Sequence, residues 1–395
     1  MKKKILATML VAMLAFSVVG CKGTDKTADD STESKTVDAD QEAADKVADL
    51  IDAIYVQDWT EDTEEKCKAA KEAWDALTDE QKELVEGEHA DPDYFGADTG
   101  DASLDNPLNG DDIGENEILV VSFGTSFNES RAEDIGGIES AVQEAYPDYS
   151  VRRAFTSQII INHVFARDGE QIDNVEQALD RAVDNGVKNL VVQPTHLMQG
   201  AEYDSMVASV DEYADKFESV EIAEPLLGEV GATVTDTNAD KETVAKSITS
   251  EAVSTSGYES LEAAKEDGVA YVFMGHGTSH TAKVTYLQMQ TQMQELGYDN
   301  VWIGTVEGEP EETACENIIQ KVKDAGYKKV VLRPLMVVAG DHANNDMAGS
   351  DEDSWASQFN AADSFDSVDC QIQGLGRIDV VQQLYVSHIS QVMNK

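Results

Sequence analysis

"VAYVFMGHGTSH", residues 269–280, is an apolar run that stops at a histidine held between two glycines. "EILVVSFGTS", residues 117–126, has the same plan earlier in the chain: an apolar run that breaks at a glycine followed by Thr-Ser. Short apolar runs alternating with amphipathic stretches are the pattern of βαβ units and a parallel sheet. We read strands at 117–123, 150–155, 189–194 and 220–227, and a second set at 269–274, 300–305, 328–335 and 368–373. The third strands repeat as well, since Pro194 and Gly200 are six apart in "QPTHLMQGAE", as are Pro334 and Gly340 in "RPLMVVAGDH". The expected fold is therefore α/β. Two similar domains, 116–265 and 266–395, each carry a four-stranded parallel sheet flanked by helices, and a cleft lies between them.

The chain has 395 residues, 41% of them apolar, enough for a large core. Its 77 Asp+Glu against 29 Lys+Arg give a formal charge of -48, which repels a polyanion and excludes nucleic acid as a partner. "MKKKILATMLVAMLAFSVVGC", residues 1–21, has three lysines, an apolar run too short for a flanked membrane span, and small residues before Cys21. It resembles a bacterial lipoprotein signal with "VVGC" as the lipobox. That implies lipidation of Cys21 and a place on the extracytoplasmic face of the cell membrane, held by the lipid anchor only.

Residues 22–40 have no large apolar residue beyond one valine and read as a disordered linker. Residues 41–88 carry helical stripes (Val47, Leu50, Ile51, Ile54; Ala70, Ala73, Trp74, Leu77) and a capping box at Thr78 and Gln81, so they form a small helical module. Its segment "AAKEAWDALTDEQKELV" resembles a helical module of Gram-positive surface proteins, which implies spacing or partner contact rather than chemistry. Residues 89–115, rich in Gly, Asp, Asn and Pro, read as a second linker. Beyond Cys21, the cysteines at 67, 315 and 370 are odd in number and lack CxxC spacing, against a disulfide framework or a cysteine zinc site.

Aligning the halves places candidate chemistry. Phe123 stands where His276 stands in the second half, and Glu202 where His342 stands, each of the latter pair two residues past the matched glycine. In open α/β sheets the carboxyl ends of the strands line the ligand crevice. His276, Glu307 and His342 follow the first three strands of the second half, so two imidazoles and a carboxylate can converge as ligands for Zn, Fe, Co or Ni. Glycines beside His276 read as clearance for a flat ligand. There is no HExxH, GxSxG or GxxxxGK[ST] motif, so no nucleotide is expected. Asp341, Asn344, Asn345 and Asp346 read as ordering the loop around His342 or supporting it. His280 reads as a further ligand or a solvent-facing helix start, and Met289, Met293 and Met336 as core. His163 and His388, in amphipathic stretches, read as structural.

"ILVVSFGTSFNESR", "RRAFTSQIIIN", "VVQPTHLMQGAEYD", "FMGHGTSH", "GTVEGEP" and "RPLMVVAGDHANNDMAGSDEDSW" resemble the anaerobic sirohydrochlorin cobaltochelatases, class II tetrapyrrole chelatases, from about residue 116 to the end. The resemblance implies two chelatase-like domains and ATP-independent insertion of Co(II), the substrate metal, into sirohydrochlorin, with iron as a further metal. It puts the family's paired histidines on His276 and His342 and its metal-site carboxylate on Glu307, with Glu309 open as the alternative. His276 then serves as metal ligand and proton acceptor, and Glu202 and His196 approach from the other wall to carry protons away or steady the ring. The substrate is a polycarboxylate, so cations and N–H groups are sought for it: Arg131, Arg152, Arg153 and Arg333, and the turns at Gly124, Thr125, Ser126, Gly277 and Thr278. The family also suggests a homo-oligomer. Cobalamin synthesis is cytoplasmic whereas the signal exports this chain, and exported relatives are linked to haem or metal handling. The alternative is thus an extracellular haem-, tetrapyrrole- or metal-binding lipoprotein for uptake.

Overall fold

The computed structural model describes residues 30–96, 99–111 and 113–394. The signal segment with Cys21 and the start of the 22–40 segment lie outside the described residues. The chain builds β1 (Asn116–Ser122), β2 (Ser150–Phe155), β3 (Asn189–Pro194) and β4 (Ser219–Ile222), then β5 (Val269–Gly275), β6 (Val301–Thr305), β7 (Lys329–Pro334) and β8 (Ser367–Cys370). Two four-stranded sheets result, ordered β2-β1-β3-β4 and β6-β5-β7-β8, with all pairs parallel. The duplication is thus real at the level of topology. In both sheets the order reverses at the first strand, where a crevice opens between the first and third strands. β5 is buried along its whole length because helices cover both faces, which is why its sequence is a continuous apolar run.

The fourth strands are shorter than the runs 220–227 and 368–373. After Ile222 the chain stays buried but changes partners, Leu226 and Leu227 donating their N–H groups to the His196 and Leu197 carbonyls. Pro225 has no N–H to offer a ladder, so the edge strand stops before it.

The linear cut at 265/266 does not divide the packing. Helix Ala239–Thr255, ahead of the cut, packs on helix Val284–Glu295 of the second domain. Helix Asp379–Met393 crosses back onto the first, where the Tyr385 hydroxyl donates to the Thr195 carbonyl at 2.8 Å. One apolar cluster therefore runs through both domains, from Ile118, Val120 and Ile138 to Phe273, Leu335 and Ile389.

The N-terminal region consists of α1 (Asp30–Ile54), α2 (Thr63–Asp75) and α3 (Asp79–Lys82). α1 begins at Asp30, inside the segment read as a disordered linker. Residues 30–40 are polar but contain neither Gly nor Pro, so nothing stops helix propagation outward from the packed part. The second linker is also anchored over part of its length. Asp105, 1% exposed at its side chain, clasps Arg131 at 2.7 Å and Arg153 at 2.6 Å. The module is docked on helix Gln158–Asp168 through Tyr94 stacked on His163 at 4.4 Å and through Phe165 and Ala166 in the module's own core.

Burial drives the His163 pKa down to about 3, against about 6.5 for an unfolded histidine. Between those values the unfolded chain binds the extra proton, so stability supplied by neutral His163 is full near pH 7 and drains away as pH falls from about 6.5 toward 3. His163→Phe, which keeps the stack, is expected to flatten this part of the acid-unfolding profile, as measured by urea melts between pH 4 and 7. An unchanged slope assigns the pH dependence elsewhere.

Candidate metal and tetrapyrrole site

His276 and His342 leave the carboxyl ends of β5 and β7, neighbouring strands at the reversal point. Their ring centroids are 4.5 Å apart with planes at 74°. Glu307 follows β6 and donates its backbone N–H to the His276 carbonyl at 2.9 Å. The two imidazoles are therefore brought together, with Glu307 tied to His276 through the backbone.

Backbone conformation explains how. Gly277 has φ +93°, and a Cβ there would meet the Glu307 Cβ at 3.0 Å and the Thr305 Cβ at 3.1 Å. Gly275 leaves room for the Tyr286 ring, 2.3 Å from where its Cβ would lie. The glycines flanking His276 thus clear protein groups, not the flat ligand read from sequence. Tyr286, which sequence reasoning missed, accepts the Gly277 N–H at its hydroxyl at 3.1 Å and so holds the loop. The signal for it was Gly275 itself, since a glycine ending a buried strand marks a close approach.

Hydrogen bonds fix what each histidine offers. His276 Nδ1 lies 2.7 Å from the Gly277 carbonyl, and His342 Nδ1 lies 2.6 Å from the Asp346 carboxylate. Both partners are oxygen acceptors, so both Nδ1 atoms carry a proton, and each ring presents the Nε2 lone pair as ligand or base. The Asp346 bond raises the His342 pKa, outweighing burial. Asp341 and Asn345 pair with each other at 2.7 Å, and Asn344 donates to the Gly340 carbonyl at 2.9 Å, so they order the loop. Asp341, His342 and Asp346 also bring one ligand atom each within 4.8 Å of one another.

Glu309 is paired with Lys283 at 2.6 Å, and Glu307 is the one of the two whose charge acts on His342. His280 caps its own turn by accepting the Ala282 N–H at 3.2 Å, and its Nε2 lies 3.3 Å from Asp204 on the first domain. It ties the walls of the cleft together. On the first domain, His196 Nε2 is 3.7 Å from Glu202, and the His196 side chain is 7% exposed. Neither ring nitrogen of His196 has a hydrogen-bond partner, and burial lowers its pKa to about 4. Glu202, on the first turn of helix Ala201–Tyr213, has its carboxyl raised by the surrounding protein.

The four arginines expected to meet substrate point into the protein instead. Arg152 is buried against Glu117 at 2.9 Å, and Arg153 against Glu139 at 2.7 Å and Asp105 at 2.6 Å. Arg131 is equally buried, and Arg333 bonds the Gln371 side chain at 2.9 Å with no carboxylate of the described residues in contact. Arg131, Arg152 and Arg153 are held by the protein's own carboxylates, as buried charge requires, while Arg333 is buried with its Nε and Nη2 lacking a hydrogen-bond partner. The first-domain turn is also closed. Gly124 sits against Phe155, Thr125 accepts the Phe127 N–H at 3.1 Å and touches Gly340, and the Ser126 carbonyl is taken by Arg167 at 2.6 Å. Thr278 accepts the His280 N–H at 3.1 Å.

Comparison with known proteins bears on this arrangement. The cobalt chelatase (CbiK) family matches residues 116–394. A protein named sirohydrochlorin cobaltochelatase from Salmonella typhimurium strain LT2 is 33% identical over 277 residues, 70% of this chain and 96% of that relative. The sirohydrochlorin cobaltochelatase CbiKC of Nitratidesulfovibrio vulgaris is 31% identical over 247 residues, 62% of this chain and 79% of its own length. Among solved structures, SirB from Bacillus subtilis with Fe3+ aligns with 71% of this chain and 96% of its own, at 14% identity and a TM-score of 0.49.

Proposed function

We propose, on the premise that this chain belongs to the cobalt chelatase (CbiK) family, that it inserts Co(II) into sirohydrochlorin without ATP. The observation that carries the reading is the pair of Nε2 lone pairs, offered by His276 and His342 rings 4.5 Å apart, with the Glu307 backbone bonded to His276. Insertion exchanges pyrrole N–H protons for the cation, so the site needs a holder for the metal and a base on the same face of the ring. His276, His342 and Glu307 take the cation as substrate, and an imidazole nitrogen freed as the metal passes to the ring accepts a proton. Across the cleft, Glu202 receives protons or steadies the ring beside neutral His196. The test is anaerobic mixing of the purified chain, sirohydrochlorin and Co(II), followed by the change in ring absorption. A rate equal to the spontaneous one removes the reading.

Asp346 fixes the His342 tautomer and ring direction, the support that a metal-binding histidine commonly has. Asp346→Asn is expected to weaken Co(II) affinity by roughly 10–100-fold, read from a titration of cobalt absorption. Unchanged affinity takes Asp346 out of this role.

A second reading, capture of haem or another tetrapyrrole for uptake, is favoured by the buried, unpartnered imidazole of His196. It is tested by a Soret shift on adding haem that His196→Ala abolishes. Lipidation at Cys21, extracytoplasmic placement and homo-oligomerisation belong to the same proposal. Metabolic labelling with a fatty acid, lost in Cys21→Ser, tests the anchor.

A further inference from the structure

The family match begins at residue 116, so the N-terminal module lies outside it. Its free tip is nonetheless attached at the edge of the first sheet where the proposed cleft opens. The Ile54 carbonyl accepts from Asn162 at 2.9 Å, and the Gln57 side chain accepts the Gln158 N–H at 3.1 Å. The residue before Gln158, Ser157, donates its N–H to the Phe123 carbonyl at 3.2 Å. The turn at 55–59 is thereby fastened within a few residues of Phe123, the position that matches His276 in the second half. The tip is braced from behind as well. Tyr55 stacks on His89 at 3.8 Å with planes 12° apart, and the Asp52 carboxylate takes the Glu88 and His89 N–H groups at 2.9 and 2.7 Å.

Four large apolar side chains stay exposed along this seam: Tyr55 at 37%, Val56 at 39%, Trp59 at 43% and Phe123 at 42%. A cluster of this kind beside a cleft, on a chain so acidic, calls for an occupant. Three of the arginines that might have met substrate carboxylates are consumed by acids of the first domain and the fourth, Arg333, is buried in the second, so affinity for a polyanionic ring must come from elsewhere. The faces of aromatic side chains supply it without placing charge against charge.

We propose that the helical module is part of the substrate site, its Tyr55–Trp59 turn forming with Phe123 an aromatic lip that lies against the flat face of the tetrapyrrole macrocycle. This rests on the chelatase reading. The lip binds and orients the ring, while the metal goes to the histidines beyond it. Module residues therefore set ring affinity without touching the reacting atoms.

The test uses the full mature chain with Tyr55→Ala and Trp59→Ala combined, both exposed and away from the module core. The expected result is a rise of about tenfold in KM for sirohydrochlorin, a matching rise in the Kd of the metal-free ring by absorption titration, and an unchanged kcat and Co(II) affinity. Trp59→Phe, which keeps a ring face, is expected to stay near wild type. Unchanged KM and Kd overturn the proposal, as does a loss confined to kcat. An altered elution mass with ring affinity unchanged also overturns it and assigns the patch to a second copy of the chain. If wild type fails to insert metal, the chelatase reading fails, and the ring Kd of the double variant still decides the lip.

Discussion

His276→Ala is expected to slow Co(II) insertion by roughly 10²–10⁴-fold, the usual range for removal of a general base. The loss is large because one imidazole serves two steps, holding the cation and then accepting a proton. His342 keeps its own Asp346 partner but lies on a separate loop and cannot occupy both positions. His276 is exposed, and its side chain bonds the neighbouring Gly277 carbonyl. The variant should therefore keep the wild-type thermal midpoint while kcat falls and cobalt affinity weakens. A variant that turns over at the wild-type rate would mean that His276 is a bystander and that His342 with Glu307 suffices.

Asp105→Ala is the substitution expected to cost most stability, about 3–5 kcal/mol, the range for breaking a buried ion pair from one side. Both oxygens of this carboxylate are committed, one to Arg131 Nε and Arg153 at 2.7 and 2.6 Å, the other to Arg153 at 2.9 Å. Its removal leaves Arg131 with Glu170 and a longer contact to Asp168 at 3.7 Å, and Arg153 with Glu139, too little for two guanidinium groups with no exposed surface. Burial alone would raise the Asp105 pKa, but Arg153 and Arg131 outweigh it and hold the group at about 2. The stability it supplies is thus present above the unfolded carboxylate pKa, about 3.9, and is lost as pH falls through about 2. Urea unfolding at neutral pH measures the loss. A change under about 1 kcal/mol would show that the arginines repair their pairing with neighbouring acids.

Strand periodicity, the duplicated Gly-Thr-Ser turns and the shared Pro-to-Gly spacing were enough to place all eight strands. They also put His276, Glu307 and His342 on one sheet edge, because strand ends in a parallel sheet follow from strand order. What these patterns could not say was where a side chain's partner comes from. "SVRRAF" reads equally as a cationic surface and as a buried double ion pair. The deciding acids, Asp105, Glu117, Glu139 and Asp173, are scattered across some 70 residues of sequence. Glu307 and Glu309 are likewise alike in sequence, and only the Lys283 contact separates them.

The amino-acid order by itself determined the elements, their repetition and the residue types at the mouth of the cleft, since these depend on local periodicity and on the direction of parallel strands. Tertiary structure alone decided that the glycines beside His276 make room for Tyr286 and Glu307, that the terminal helix crosses to the first domain, and that the module's tip is bonded to helix Gln158–Asp168. Each of these is a contact between different structural elements, the helix and module contacts joining segments far apart in the chain. Packing selects such contacts by total shape and charge balance, quantities that no short stretch of sequence carries.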